Sequence, residues 1–131
     1  MVKGAAIKFT NYTDSVNKLA NLLKVSNEIK KYDKIVLKPY IKDSESHTPI
    51  AFVEAVLQFC LANKNPVGEI FIAEGVDGAD TTDLFDSLGY KSLSEKYNVG
   101  LIDLNNTEVE EKINGEFLKM QSISYQKILL E

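Results

Sequence analysis

The residues of this sequence that could do chemistry stand at the ends of apolar runs. Lys38 follows Ile35-Val36-Leu37, Glu74 closes the run that starts at Glu69, and Asp103 closes Val99-Gly100-Leu101-Ile102. In open α/β sheets, ligands bind beyond the carboxyl ends of the strands. Three parallel strands would therefore gather these charges along one rim. Lys38 would hold an anion there, near the start of a helix at Thr48-Pro49. The competing reading makes Lys38 a strand-end lysine paired with Glu74 or Asp103, because ion-pair networks place charges at such positions too.

A second group lies just beyond Glu74. Glu74, Asp77 and Asp80 supply the oxygen donors that a hard cation such as Mg²⁺ takes, but their spacing matches no calcium loop. Turn chemistry, with Asp and Gly shaping a tight loop, accounts for the same residues, and no metal is expected. Gly75 and Gly78 would cradle a phosphate or simply make a turn; they form neither a P-loop nor a Gly-x-Gly-x-x-Gly fingerprint. His47, the single histidine, is read either as a general base at the rim or as an exposed loop residue. No serine stands in a nucleophile elbow.

The elements that must position these groups can be read from periodicity. Gly4–Phe9 reads as a first strand. Thr13 reads as the N-cap of a helix reaching about Lys31. Lys34–Lys38 is continuous and β-branched, the pattern of a buried parallel strand, and Pro39 stops it. After a polar loop from Lys42 to His47, Thr48 as N-cap and Pro49 at the first helical position start a largely buried helix. That helix runs to about Leu61, and Asn65-Pro66 ends the segment. Glu69–Glu74 is a third strand, followed by a loop to Asp80. Thr82 caps a short helix, Asp83–Leu88, closed by Gly89, and a second short helix covers about Ser92–Tyr97. Val99–Leu104 is a fourth strand. Asn114-Gly115 predicts a tight hairpin between Glu108–Ile113 and Glu116–Met120, and a short helix follows from about Ser124. This order predicts an α/β fold, a three-layer sandwich with a mainly parallel sheet plus a C-terminal β-hairpin, as a single domain over residues 1–131.

Composition narrows the partners. A chain of 131 residues is long enough for one real core. Its net charge is −4 and all its 15 basic residues are lysine. Without arginine it lacks the planar fork that reads phosphates and base edges, so no nucleic-acid partner is expected. The single cysteine, Cys60, excludes an intramolecular disulfide framework, and its apolar setting reads as a small core residue. No apolar run reaches the ~18 residues that span a bilayer, and the amino-terminal stretch does not resemble a signal peptide. The expectation is a cytoplasmic protein without a membrane partner.

Several motifs together resemble the domain of unknown function family 362. Lys38-Pro39-Tyr40 resembles the Lys-Pro-Asn that follows an apolar strand in that family, with Tyr40 where Asn is usual. His47-Thr48-Pro49 before an apolar helix resembles its Thr-Thr-x-Pro helix start. Glu74-Gly75, Asp77-Gly78-Ala79-Asp80-Thr81, Phe85 and Leu88-Gly89-Tyr90 resemble its glycine-rich loop and capped helix, and Asp103-Leu104-Asn105 its next strand end. The resemblance covers most of residues 34–131 and implies a short member or a fragment. It also implies a redox context, since family members are often joined to ferredoxin-like cluster domains, although this chain has no such cysteine set. The family has no settled activity, so the resemblance leaves the cofactor unspecified and open whether the chain is an enzyme.

The sequence thus leads to two functional expectations. In the first, a small anionic ligand binds at the strand ends, with Lys38, Thr48, Glu74, Gly75, Asp77 and Asp103 around it. In the second, a non-catalytic protein assembles as a homo-oligomer or with a partner chain through an exposed sheet edge.

Overall fold

Three short runs rich in β-branched and aromatic residues form the sheet. β1 (Lys34–Leu37), β2 (Glu69–Glu74) and β3 (Gly100–Asp103) lie side by side in that order, all parallel. The computed structural model describes residues 4–107, 109–113 and 122–126. The register sets Leu37 beside Ile72, and Glu74 beside Asp103. With a period of two, Ile35, Leu37, Ile70, Ile72 and Leu101 share one face, while Val36, Phe71, Ala73 and Ile102 share the other.

The connections are helical, as parallel strands require. α3 (Ile50–Asn63) links β1 to β2. α4 (Thr81–Ser87) and α5 (Tyr90–Tyr97) link β2 to β3. Strands in sequential order with right-handed crossovers place both connections on one face. The core agrees: Val53, Leu57 and Cys60 of α3, Phe85 of α4, and Tyr90 and Leu93 of α5 close over Ile70 and Ile72. Among the described residues, this cluster accounts for one helical layer on one sheet face.

Gly100 is fixed by packing rather than by a turn. A Cβ at this position would run into the ring of Phe71 on the neighbouring strand, so the β3 start accepts no larger residue while Phe71 holds its place.

Several expected elements differ. Gly4–Phe9 is not a strand. The segment is mostly exposed, its small residues bury little, and no strand among the described residues pairs with it. α1 (Tyr12–Leu22) starts earlier than Thr13 allows, with Asn11 as its N-cap. Asn11 makes two bonds with Asp14: its Oδ1 accepts from the backbone N–H, and its Nδ2 donates to the carboxylate, both at 2.8 Å. The helix also stops before Lys31. Lys24 adopts the left-handed conformation, φ 57°, and a separate short helix α2 (Val25–Ile29) follows.

α3 is less enclosed than its apolar composition predicts. Val53, Ala55, Leu57, Phe59 and Cys60 are buried, but Ala51, Phe52, Gln58 and Ala62 are exposed. Its N-cap is Pro49, not Thr48. Asp80, not Thr82, caps α4 by accepting from the N–H of Asp83, and Gly89 takes the left-handed conformation that ends this segment, φ 93°. Further on, β4 (Val109–Ile113) pairs antiparallel with β5 (Ser122–Gln126). Ser122 stands opposite Ile113, where a two-residue turn at Asn114-Gly115 would set Glu116. Asn114-Gly115 and Glu116–Met120 lie outside the described residues. Ser124–Gln126, expected to open a short helix, belong to β5 and pair with β4; the rest of that expected helix lies outside the described residues. No helix among the described residues is long and apolar enough to cross a membrane.

Candidate functional site

The parallel register brings the three strand-end charges to the same border of the sheet. Lys38 follows the last residue of β1, Glu74 ends β2 and Asp103 ends β3. Lys38 and Glu74 meet: Lys38 Nζ donates to Glu74 Oε1 at 2.8 Å. The pairing read as one alternative in the sequence is therefore present. The two partners differ in depth, since the Glu74 side chain is 7% exposed and that of Lys38 53%. Glu74 Oε1 also accepts from the backbone N–H of Gly75 at 2.9 Å. A buried carboxylate thus holds one of the three donors of an ammonium that reaches the surface.

A pocket of about 300 Å³ opens at this point, lined by Lys38, Tyr40, Ile41, Lys42, Glu74, Gly75, Val76 and Asp77. Four of the six expected site residues, Lys38, Glu74, Gly75 and Asp77, share it. The two lysines face two carboxylates, so its ionised side chains sum to zero. Lys42 and Tyr40 arrive there through a closed loop. Ile41 and His47 form an antiparallel bridge, Thr48 N donates to Tyr40 O at 2.8 Å, and Asp43 Oδ1 accepts from the N–H groups of Glu45 and Ser46. Those two donors hold the Asp43 carboxyl below its ordinary range.

Thr48 and Asp103 are placed differently from expectation. The Thr48 hydroxyl accepts from Tyr40 N at 2.9 Å, which tethers the closed loop and leaves no cap for α3. The expected Thr48 cap of α3 is therefore absent, while the hydroxyl keeps its own O–H to donate. Thr48 instead lines a neighbouring cleft with Lys38. Asp103 is spent locally: Oδ1 accepts from Asn105 N at 2.9 Å and Oδ2 from Asn106 Nδ2 at 2.7 Å. These bonds shape the 3-10 turn Leu104–Asn106, and Asp103 does not line the pocket.

The loop after Glu74 spends its first two backbone donors internally, and its acidic residues do not gather. The N–H of Gly75 is committed to Glu74, and that of Val76 donates to the Thr81 hydroxyl at 3.1 Å. Gly78, at φ 72°, serves the turn. Asp80 faces its own helix, and no group of three or more metal-ligating side chains gathers among the described residues.

Some residues that build the site carry little signal in the sequence. Asn105 Nδ2 donates to Val76 O at 3.0 Å and to the Thr81 hydroxyl at 3.3 Å, tying the β2 loop to the end of β3. A Cβ on Gly75 would come within 2.6 Å of Asn105 Oδ1, so glycine is required there for the two loops to touch. Tyr90 is fully buried, and its hydroxyl donates to Thr48 O at 3.3 Å. Burial, with the negative charge of Glu74 behind it, pushes that hydroxyl up to about 12. His47 Nδ1 lies 2.9 Å from the same carbonyl. A carbonyl can only accept, so the proton sits on Nδ1.

The family model described as domain of unknown function, DUF362, matches residues 35–130. The chain belongs to this family. The match takes in every residue of the pocket, from Lys38 to Asp77, and the whole parallel sheet apart from Lys34. No curated protein and no solved structure matches the chain. DUF362 membership confirms the resemblance carried by Lys38-Pro39-Tyr40, Thr48-Pro49 and the Glu74–Asp80 loop. It brings no activity with it, and a reading of function must come from the pocket.

Proposed function

We propose that this DUF362 domain binds a small anionic ligand in the pocket at the carboxyl ends of β1 and β2. The observation that carries the reading is the unequal depth of the Lys38–Glu74 pair. Glu74 is anchored by burial and by the Gly75 N–H, and it fixes an ammonium with donors to spare at the mouth of a pocket that Lys42 also lines. Lys38 and Lys42 receive the anionic group, and Glu74 and Asp77 limit the charge the pocket accepts. A ligand with one or two negative charges fits this balance, whereas a polyphosphate meets two carboxylates. The redox context implied by the resemblance draws no support from Cys60, which is buried and whose thiol burial pushes up.

A melting series tests the reading. A ligand bound only by the native state raises the melting temperature by mass action. Acetate and inorganic phosphate, at matched ionic strength, are expected to raise it in the parent chain and not in Lys38→Met. An equal rise in both would reflect general exclusion of salt from the surface, and the reading would be abandoned.

A second reading has its own observation. Among the described residues β1 pairs with β2 alone, and the run Val36–Tyr40 lines a cleft along it. An edge strand beside an apolar cleft is a template for an added strand, so assembly of copies or with a partner chain would use this edge. A sedimenting mass equal to one chain at high concentration rules out self-assembly.

A further inference from the structure

We infer that the ligand is amphipathic: a single anionic group on an apolar, ring-sized body. The inference rests on the anion reading above and adds a second compartment to it. The polar pocket does not stand alone. A cleft of about 420 Å³ adjoins it, lined by Val36, Leu37, Lys38, Pro39, Tyr40, Thr48, Phe52, Val53 and Val56. Lys38 and Tyr40 belong to both spaces. Lys38 is therefore shared by a charged chamber and an apolar one, with its ammonium on the Glu74 side, an arrangement in which an anionic head pairs with Lys38 while its body lies in the cleft.

The character of the body follows from the walls. One wall is the backbone run from Val36 to Tyr40; the other is Phe52, Val53 and Val56 on α3. Both lining aromatics are exposed although large, Tyr40 at 59% and Phe52 at 39%. Phe52 is held in place from behind by Tyr12, with ring centroids 5.7 Å apart, and Tyr12 in turn by Phe9 at 5.3 Å. An exposed ring braced by a second ring is a preformed apolar surface, and aromatic faces favour a flat partner. Among the described residues Lys38 is the only charged one lining the cleft, so an apolar body with one anionic end complements it and a second charge on the body does not. Sites of this size are typical of small-molecule pockets, which are mostly apolar with a few fixed polar groups.

Titration of the full chain, followed by backbone amide NMR, separates this inference from the one beneath it. The probes are 3-phenylpropionate, acetate and 3-phenylpropan-1-ol, each used with the parent chain, Lys38→Met and Phe52→Ala. Melting curves of the variants establish that they are folded. 3-Phenylpropionate is expected to bind at least tenfold more tightly than acetate, shifting amides of both Val36–Tyr40 and Phe52–Val56. Phe52→Ala should weaken it several-fold and leave acetate unchanged, and Lys38→Met should weaken both acids. If the two acids bind alike and Phe52→Ala changes nothing, the apolar compartment is refuted while the anion reading survives. If the alcohol matches the acid, or Lys38→Met has no effect, both fall. If the cleft amides are already protected and the protein sediments at twice its mass, a second copy fills the cleft and the inference is overturned.

Discussion

Lys38 and Glu74, carried to the same border by adjacent parallel strands, share a 2.8 Å hydrogen bond across a steep difference in burial. Removing one partner of such a pair leaves a buried carboxylate with only the Gly75 N–H to compensate it. Because Lys38 is half exposed, solvent screens part of the loss, and Lys38→Met should cost about 1–2 kcal/mol. Glu74→Gln should cost a similar amount. The double variant is expected to lose less than the two single losses combined, since neither group is then left unpaired. Urea unfolding of the four proteins measures the coupling; strict additivity would mean that the pair contributes nothing to stability.

Gly75 and Asn105 make the second stability prediction. Asn105→Ala removes the donor to Val76 O and Thr81 Oγ1, freeing a loop that forms one wall of the pocket. A loss of about 1–3 kcal/mol is expected for groups left unsatisfied. Gly75→Ala drives a methyl against Asn105 Oδ1 and should cost a similar amount. The pair Gly75→Ala with Asn105→Ala should be better tolerated than Gly75→Ala alone, because the clash has then been removed. Denaturant midpoints decide it; no relief in the double variant would show that the alanine is resisted by the backbone rather than by Asn105.

How much of this was legible in the sequence depends on how local each cause is. The three parallel strands are announced by apolar runs closed by a charge, and their rim follows from topology alone. Gly89 is legible for the same reason, as a residue that must turn left-handed at a helix end. The caps are not. Asn11 and Thr13, or Asp80 and Thr82, are all acceptable capping residues, and local pattern does not choose between them; Asn11 adds a second bond to Asp14, whereas Asp80 makes the cap bond to Asp83 N. Thr48 illustrates a tertiary cause: closure of the loop from Ile41 to His47 brings Tyr40 N to its hydroxyl, which no local pattern reports. Asp103 is lost from the site because Asn105 and Asn106, two and three residues on, compete for its carboxylate. The cleft was missed entirely. Its wall is assembled from Tyr40, valued in sequence only as a departure from Asn, and from Phe52, read as core.

Gly100 and Phe71 make a third case, in the sheet itself. Gly100→Ala places its Cβ in the Phe71 ring. Overpacking of this kind costs about 1–3 kcal/mol. Phe71→Leu in the same chain should recover part of that loss, since the smaller side chain vacates the contact. Thermal melts of the single and double variants are the measurement. An unchanged melting temperature in Gly100→Ala would show that the Phe71 ring moves aside at no cost.

Tyr90 gives the alkaline limb of the stability curve. Its hydroxyl is pushed from 10.0 up to about 12 by burial and by Glu74. A group whose folded value lies above its unfolded value contributes stability that is complete below the unfolded value and lost as pH rises through the folded one. Between pH 10 and pH 12 the unfolded chain gives up this proton while the native chain keeps it, so stability falls by about 1.4 kcal/mol per pH unit for this one group. Tyr90→Phe abolishes that slope and also gives up the hydrogen bond to Thr48 O, worth about 1 kcal/mol. The variant should therefore be less stable than the parent chain at pH 8, and the difference should shrink and then reverse as pH rises toward 12. Every other ionisable group is common to the two proteins, so the comparison isolates Tyr90. Urea unfolding at pH 8, 10 and 11.5 provides it, and parallel curves for the two proteins would mean that the buried hydroxyl ionises as freely as an exposed one.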